Sequence, residues 1–314
     1  GRAGERANAR QLHVLLPMPE LPEVEAARRL AEDNIVGRKI STCIAVETGG
    51  GPRDGLFDDK IMDEGATAAS ISTTLEGRTV RAAKRKGKQL WLEMDRGPHP
   101  LFHFGMTGGL LVRGVDGVNY RNFTIGGGYE WPPKFTKLKL QLDSGLQVAF
   151  VDPRRLGRVR LRLDPEGSPP ISNLGPDPMT HPIRLEDFGA ALGKISAPIK
   201  AVLLDQGRVV SGVGNWIADE VCYQARVHPG AACNTLASEQ VSSLHVCLLR
   251  VCREAVDHNA DYTRFPKEWL FHYRWGKGKT NGKGNGGGAP RVPGGHTVHF
   301  DTVGGRTTAF VPAL

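Results

Sequence analysis

The chain has 314 residues, a formal net charge of +8 and an isoelectric point near 9.4. This length is enough for two domains with separate cores, and the basic charge favours a polyanionic partner. No apolar run reaches the roughly 18 residues that a membrane-spanning helix requires, so we expect no membrane-bound segment.

The N-terminal part of the sequence combines a helix start with a candidate nucleophile. Pro22 suits the first turn of a helix, and the apolar positions from Val24 to Ala31 predict one buried face before Gly37. If translation begins at Met18 and this residue is removed, Pro19 carries a free secondary amine with a pKa near 8. Such an amine forms an iminium ion with a sugar aldehyde and promotes elimination.

From residue 40 to 163 the pattern predicts mainly β-strands. The clearest segments are 79–82, 89–94, 137–142 and 159–163, where short apolar stretches alternate with polar residues. These short strands favour a two-layer β-sandwich that the N-terminal helix caps. Residues 49–68 are expected to form a variable surface loop, and the Pro- and Gly-rich residues 164–183 an interdomain linker.

The following region, from 185 to 258, is helical in pattern. We predict helices at 185–193, 198–205, 215–226 and 238–257. Glycines in the segment 206–214 predict tight turns that place Asn215 at a helix N-terminus, where free N–H groups suit a phosphate. Residues 276–295 have the composition of a flexible basic linker, and 296–301 with 306–311 predict a β-hairpin.

The cysteines argue against a zinc site. None of the five forms a C-x-x-C pair, so we expect buried, reduced thiols of an intracellular protein and no metal or cofactor. His296 and His299 lack cysteine partners and are expected to project from a strand. The cysteines are Cys43, Cys222, Cys233, Cys247 and Cys252.

Seven sequence blocks occur in the order typical of one enzyme family. They are PELPEVEAARR at 19–29, RKGKQLWLEM at 85–94, FHFGMTG at 102–108, DPRRLG at 152–157, LLDQG at 203–207, SGVGNWIADEVCYQARVHP at 211–229 and GGRTTAFVP at 304–312. From Met18 to about Pro312 the chain resembles the formamidopyrimidine-DNA glycosylase/endonuclease VIII family, and in particular its plant and fungal branch.

The resemblance implies an α+β fold of two domains. A catalytic β-sandwich at 18–163 and the linker 164–183 precede a helix–two-turns–helix domain at 184–260. Residues 261–314 contain the flexible basic loop and a β-hairpin of the type called a zincless finger. Residues 1–17 are expected to be an extension that the active protein lacks.

The resemblance further implies a bifunctional DNA glycosylase/AP lyase that excises oxidised purines. Formamidopyrimidines and abasic sites are better expected substrates than 8-oxoguanine. Pro19 is the implied nucleophile, Glu20 and Glu23 the implied proton-transfer groups, and Lys88 an implied catalytic and phosphate-binding residue.

Implied DNA-binding residues lie in both domains. A void-filling triad of Met106, Arg154 and Leu156 would replace the flipped nucleotide. Leu156 departs from the phenylalanine common at this position, which predicts weaker base flipping rather than altered elimination chemistry. The remaining implied phosphate contacts are His103, Arg155, Lys200, Asn215 and Arg306.

Two alternatives remain open from the sequence. The chain could be an endonuclease VIII-like enzyme for oxidised pyrimidines, or a catalytically silent DNA-binding protein whose N-terminus stays blocked. The expected partner is double-stranded DNA with oxidised bases or abasic sites, bound by a monomer. The expected compartment is the nucleus, with the chloroplast or mitochondrion as alternatives.

Overall fold

The computed structural model describes residues 19–63, 65–115, 130–275 and 289–312. The extension 1–17 and most of the predicted basic linker lie outside these residues. Within them, no helix is both long enough and apolar enough to cross a membrane.

The N-terminal half contains two helices and two four-stranded antiparallel sheets. One sheet has the order β1-β6-β7-β5 and the other β2-β3-β4-β8. The elements are α1 (Leu21–Ile35), β1 (Ile40–Ile44), α2 (Ala68–Leu75), β2 (Val80–Lys86), β3 (Gln89–Met94), β4 (His99–His103), β5 (Gly109–Val112), β6 (Thr136–Leu142), β7 (Gln147–Val151) and β8 (Arg158–Arg162). The predicted sandwich is confirmed.

Strand periodicity decides which residues enter the sandwich core. In the second sheet, Phe102 lies opposite Leu90 and Val159, and all three belong to one buried cluster. The neighbouring pair Trp91 and Leu101 faces the other side of the sheet and packs on Ile171 of the interdomain linker. The linker therefore covers part of the outer face of this sheet.

Helix α1 packs against both halves of the protein. Val24, Ala27 and Ala31 belong to the sandwich core, whereas Leu21 belongs to the core of the helical half. Arg29 also donates a hydrogen bond of 2.9 Å to the carbonyl of Val256. The expected capping helix is thus also a joint between the domains.

The prediction of a surface loop at 49–68 is wrong for its second half. Asp58, Ile61 and Met62 are buried, and Met62 forms a parallel bridge with Val159. The apolar Ile61–Met62 pair reaches the core, and Asp58 meets cationic partners described below. Helix α2, which follows this segment, was not anticipated.

The C-terminal half is a helical unit followed by a hairpin. It comprises α3 (Leu185–Leu192), α4 (Ile199–Leu204), α5 (Asn215–Ala225), α6 (Ser238–Asp257), β9 (His299–Val303) and β10 (Arg306–Phe310). All four predicted helices are confirmed to within one residue at each end, since apolar spacing marks their buried faces. The two strands pair antiparallel, as predicted, over the buried Val298, Ala309 and Val311.

Candidate functional site

The carboxylate of Glu20 occupies the N-terminus of helix α5. Its Oε1 accepts the N–H of Trp216 at 2.8 Å, and its Oε2 accepts those of Gly214 and Ile217 at 2.8 and 3.1 Å. A Cβ on Gly214 would lie 2.3 Å from the Glu20 Cδ atom. The expectation that these amides are free for a phosphate is therefore wrong, since a side chain from the other domain binds them.

Glu23 supports the same segment from within α1. Its Oε2 accepts the backbone N–H of Glu20 at 2.9 Å, so the side chain closes the first turn of the helix. Burial, followed by the charge of Glu20, raises the pKa of Glu23 to about 8. This carboxyl group is consequently protonated through much of the neutral range.

Burial also raises the pKa of Glu20, although Lys88 and the amides of Trp216 and Ile217 oppose the rise. Pro19 is buried beside this group, and the N–H of Leu21 binds the carbonyl of Gly212 at 3.0 Å. The Pro19–Glu20 segment is thus fixed against the turn that begins α5. Two acidic groups with raised pKa values flank the position of Pro19.

Lys88 follows Gly87 in the two-residue turn between β2 and β3. Burial lowers the pKa of this lysine, while the charges of Glu20 and Glu23 oppose the change and Arg306 adds to it. Lys88 therefore lies near the acidic pair, and the exposed Arg306 at the hairpin tip approaches Lys88 from the other domain. This is the arrangement of cations expected around a bound phosphate backbone.

An interdomain ion pair holds the turn that carries Lys88. Arg85 donates to Asp177 of the linker and, at 2.9 Å, to Glu25 of α1. Asp177 also accepts the N–H of Gly87 at 2.7 Å, and Arg85 donates to the Gly87 carbonyl at 3.0 Å. The side chains of Arg85 and Asp177 are almost fully buried. This ion pair therefore stabilises the turn that carries Lys88 and does not bind a ligand.

His103 ends strand β4 and pairs with Gln89, the residue that follows Lys88. Its Nδ1 accepts the N–H of Gly105 at 3.2 Å, which leaves the proton of the neutral ring on Nε2. Burial, with smaller effects from Lys88, Arg160 and Arg158, lowers the pKa of His103 to about 4. The ring is thus a neutral N–H donor at physiological pH.

The predicted void-filling residues lie on two adjacent loops. Met106 is half-buried in the turn between β4 and β5, while Arg154 is exposed and Leu156 is 38% exposed in the segment between β7 and β8. The loops touch closely, because a Cβ on Gly105 would lie 2.4 Å from the backbone carbon of Leu156. The structure therefore places the three residues on adjoining loops.

Arg155 turns away from its neighbours on this loop. With a φ of 55°, it directs its guanidinium to Asp58, which it binds through Nε at 2.8 Å and through a terminal nitrogen at 2.7 Å. Lys137 lies 3.0 Å from the same carboxylate. The predicted phosphate contact of Arg155 is not supported, because its guanidinium is already paired with the carboxylate of Asp58.

The prediction that Lys200 binds a phosphate is wrong. This side chain is fully buried and pairs with Asp219 at 2.6 Å, and it donates to the Thr308 hydroxyl at 2.7 Å. Asp219 also accepts Arg274 at 2.7 Å and the N–H of Ala309 at 3.1 Å. Lys200 thus fastens the hairpin to α4 and α5.

Asn215 stays near the site surface as the first residue of α5. Its Nδ2 donates to the carbonyl of Thr307 at 3.0 Å, which places it one residue from Arg306.

The residues that the sequence pattern missed are the buried carboxylates Asp152, Asp177 and Asp219. Asp152 opens the DPRRLG block and Asp219 lies in the block at 211–229, so both could have been noticed there, whereas nothing local marks Asp177.

No group of three or more His, Cys, Asp or Glu side chains in the described ranges could hold a metal ion. The metal-free prediction remains untested by this observation. All five cysteines are free and buried, as expected.

Comparison with known proteins gives a consistent result along the chain. The formamidopyrimidine-DNA glycosylase N-terminal domain matches residues 18–159, and the formamidopyrimidine-DNA glycosylase H2TH domain matches residues 174–267. A formamidopyrimidine-DNA glycosylase of Arabidopsis thaliana is 42% identical over 300 residues, which cover 95% of this chain and 70% of that relative.

Solved structures show the same fold. The crystal structure of MutM (Fpg) from Thermus thermophilus has a TM-score of 0.69 and 27% identity, covering 94% of this chain and 98% of that one. A MutM structure in complex with DNA containing carbocyclic 8-oxo-G has a TM-score of 0.71 and 25% identity, with the same coverage.

Proposed function

The chain belongs to the formamidopyrimidine-DNA glycosylase family, and we propose that it is a bifunctional DNA glycosylase/AP lyase of base excision repair with Pro19 as its nucleophile. Its substrates are oxidised purines, foremost formamidopyrimidines, and abasic sites in double-stranded DNA. The acidic pair of Glu20 and Glu23, which lies beside Pro19 and within electrostatic range of Lys88, is the observation that carries the proposal.

The reaction begins when the free amine of Pro19 attacks C1′ of the damaged nucleoside. The glycosidic bond breaks, the base leaves with a proton, and the sugar ring opens to an iminium ion. This cation makes the C2′ hydrogen acidic. Its removal expels the 3′ phosphate by β-elimination, and a second elimination expels the 5′ phosphate.

The two glutamates divide the proton transfers. Glu20 exchanges protons with the sugar and the leaving base, and the three amides at the start of α5 fix its orientation. Glu23, with a pKa raised to about 8, supplies or stores a proton beside it. Lys88 binds the phosphate next to the lesion and stabilises the negative charge of the leaving oxygen.

DNA binding draws on residues from both domains. His103, Asn215 and Arg306 contact phosphates, and Met106, Arg154 and Leu156 fill the space of the flipped nucleotide. The protein acts as a monomer in the nucleus, with the chloroplast or mitochondrion as alternative compartments. Its similarity to a plant DNA glycosylase supports a compartment that contains DNA.

Borohydride trapping on abasic DNA tests the nucleophile. Protein that begins at Pro19 should form a covalent complex, whereas protein that retains residues 1–18 should not, because its Pro19 nitrogen is an amide. Pro19→Gly should still be trapped, since glycine also offers an amine. Full trapping by the extended protein, with its N-terminus verified by mass spectrometry, would refute the assignment.

Lesion preference needs a separate experiment. Single-turnover cleavage should be compared on matched duplexes carrying a formamidopyrimidine, 8-oxoguanine or an oxidised pyrimidine. We expect the formamidopyrimidine to be excised fastest. Preferential excision of the pyrimidine would instead identify an endonuclease VIII-like specificity, and binding without excision a catalytically silent protein.

A further inference from the structure

One fully buried carboxylate joins the two loops that carry the void-filling side chains. Asp152 follows strand β7, and its exposed surface is 0%. Its Oδ1 accepts the Thr107 hydroxyl at 2.8 Å and the N–H of Arg154 at 3.1 Å. Its Oδ2 accepts the N–H groups of Leu156 and Gly157 at 2.8 and 2.6 Å.

All four donors are neutral, and three of them belong to one loop. The fourth, Thr107, comes from the neighbouring loop and follows Met106 directly. The hydrogen bond between Thr107 and Asp152 therefore links the loop that contains Met106 directly to the loop that contains Arg154 and Leu156. A buried carboxylate needs such donors to offset its loss of hydration.

Backbone packing makes this link rigid. A Cβ on Gly157 would lie 2.9 Å from the His103 carbonyl oxygen and 3.0 Å from the Asp152 Oδ2 atom, so glycine is needed beside the carboxylate. The bidentate contact of Arg155 with the buried Asp58 fixes the direction of that guanidinium. Arg154 and Leu156 on either side of it are thereby left exposed.

We propose that Asp152 is a positioning residue that sets Met106, Arg154 and Leu156 in their DNA-inserting geometry before DNA binds. Ordering these side chains in the free protein lowers the entropy cost of inserting them into the duplex. This inference rests on the proposed glycosylase function. It assigns Asp152 no contact with the DNA or with the reacting atoms.

The proposal separates base flipping from strand cleavage. A base lesion must leave the stack before it can react, whereas an abasic site has no base to extrude. Loosening the two loops should therefore slow excision of a formamidopyrimidine and leave abasic-site cleavage nearly unchanged. The same loosening should reduce the fluorescence rise of 2-aminopurine placed opposite an abasic-site analogue, because this signal reports insertion into the stack.

Thr107→Val tests the link with a minimal change, since it removes one hydroxyl and nearly preserves side-chain volume. We expect at least a roughly tenfold slower single-turnover excision of the base lesion, as the loss of a hydrogen bond to a buried carboxylate predicts. Thr107→Ser keeps the hydroxyl and should restore the rate. Asp152→Asn replaces one of the two accepting oxygens by an NH2 group that would face two of these donors, and it should have a larger effect in the same direction.

Ser72→Ala provides the control for a general loss of stability. Ser72 donates a hydrogen bond of 2.6 Å to the Cys43 carbonyl in the distant contact between α2 and β1. This variant should excise both substrates at the wild-type rate.

Equal slowing of both substrates by Thr107→Val would overturn the proposal, as would a wild-type rate and fluorescence response on the base lesion. Failure of the proposed function itself gives a different result. In that case the unsubstituted protein that begins at Pro19 would not be trapped by borohydride on abasic DNA.

Discussion

Replacing Glu23 by glutamine should remove a pH-dependent loss of stability. Glutamine can still accept the backbone N–H of Glu20 through its amide oxygen, so the first turn of α1 keeps its hydrogen bond. It cannot ionise, however. A comparison of the wild type with Glu23→Gln therefore isolates the effect of the negative charge on Glu23, which burial and the charge of Glu20 disfavour.

The magnitude follows from the difference in pKa between the two states. The pKa of Glu23 rises from 4.5 to about 8 on folding, so between these pH values the folded protein keeps a proton that the unfolded chain releases. A raised carboxyl pKa contributes stability fully below 4.5 and loses that contribution as the pH rises towards 8. Each unit corresponds to about 1.36 kcal/mol, so the loss from pH 5 to pH 8 is about 4 kcal/mol.

Urea unfolding at pH 5 and pH 8 measures this difference. The free energies of unfolding of the wild type and Glu23→Gln should be similar at pH 5, and the variant should be more stable by about 4 kcal/mol at pH 8. Asp33→Asn, on an exposed position of the same helix, should show the wild-type pH dependence. Parallel curves for the wild type and Glu23→Gln would refute the reasoning.

Four further outcomes are expected. Leu156→Phe should speed excision of a formamidopyrimidine and leave abasic-site cleavage unchanged in single-turnover assays, since a better wedge assists only base extrusion; an equal change on both substrates would contradict the wedge role. Lys200→Met should lower the free energy of unfolding by about 3 kcal/mol in urea titrations, because it leaves Asp219 with one fewer buried partner. Weaker DNA binding at unchanged stability would show that the structural role assigned to Lys200 is wrong. Gly214→Ala should slow cleavage by roughly 100-fold without unfolding the protein, because the added Cβ displaces Glu20, and wild-type cleavage would disprove that constraint. Strong chelation should alter neither cleavage nor thermal melting, whereas stoichiometric zinc whose removal abolishes activity would refute the metal-free prediction.

Local sequence patterns determined part of the secondary structure, most completely in the C-terminal half. Helices α3 to α6 follow from apolar residues at helical spacing, which must be buried together whatever the partner surface is. The hairpin of β9 and β10 and the strands β2, β3, β6 and β8 were also predicted, although with inexact ends. The surface loop predicted at 49–68 is wrong in its second half because the many glycines and acidic residues of this segment outweigh the apolar pair Ile61 and Met62, which is buried.

The tertiary structure decided which charged residues face a ligand and which face the protein. Lys200 and Arg306 both lie in family blocks or beside them, yet Lys200 is buried against Asp219 while Arg306 stays exposed. Arg155 likewise meets Asp58, which is 97 residues away in the sequence. Composition and spacing do not reveal such pairings, because the free energy of a buried charge depends on partners that only folding brings within hydrogen-bond distance.

The same distinction applies to the start of α5. The glycines before Asn215 correctly predicted a helix N-terminus, and free amides at such a position favour a negative group. Which group binds there was decided by the docking of α1, which carries Glu20 to within 2.8 Å of the Gly214 and Trp216 amides. Local sequence determined that an anion would be stabilised at this helix end, and the packing of the two domains determined that the anion is the protein's own carboxylate.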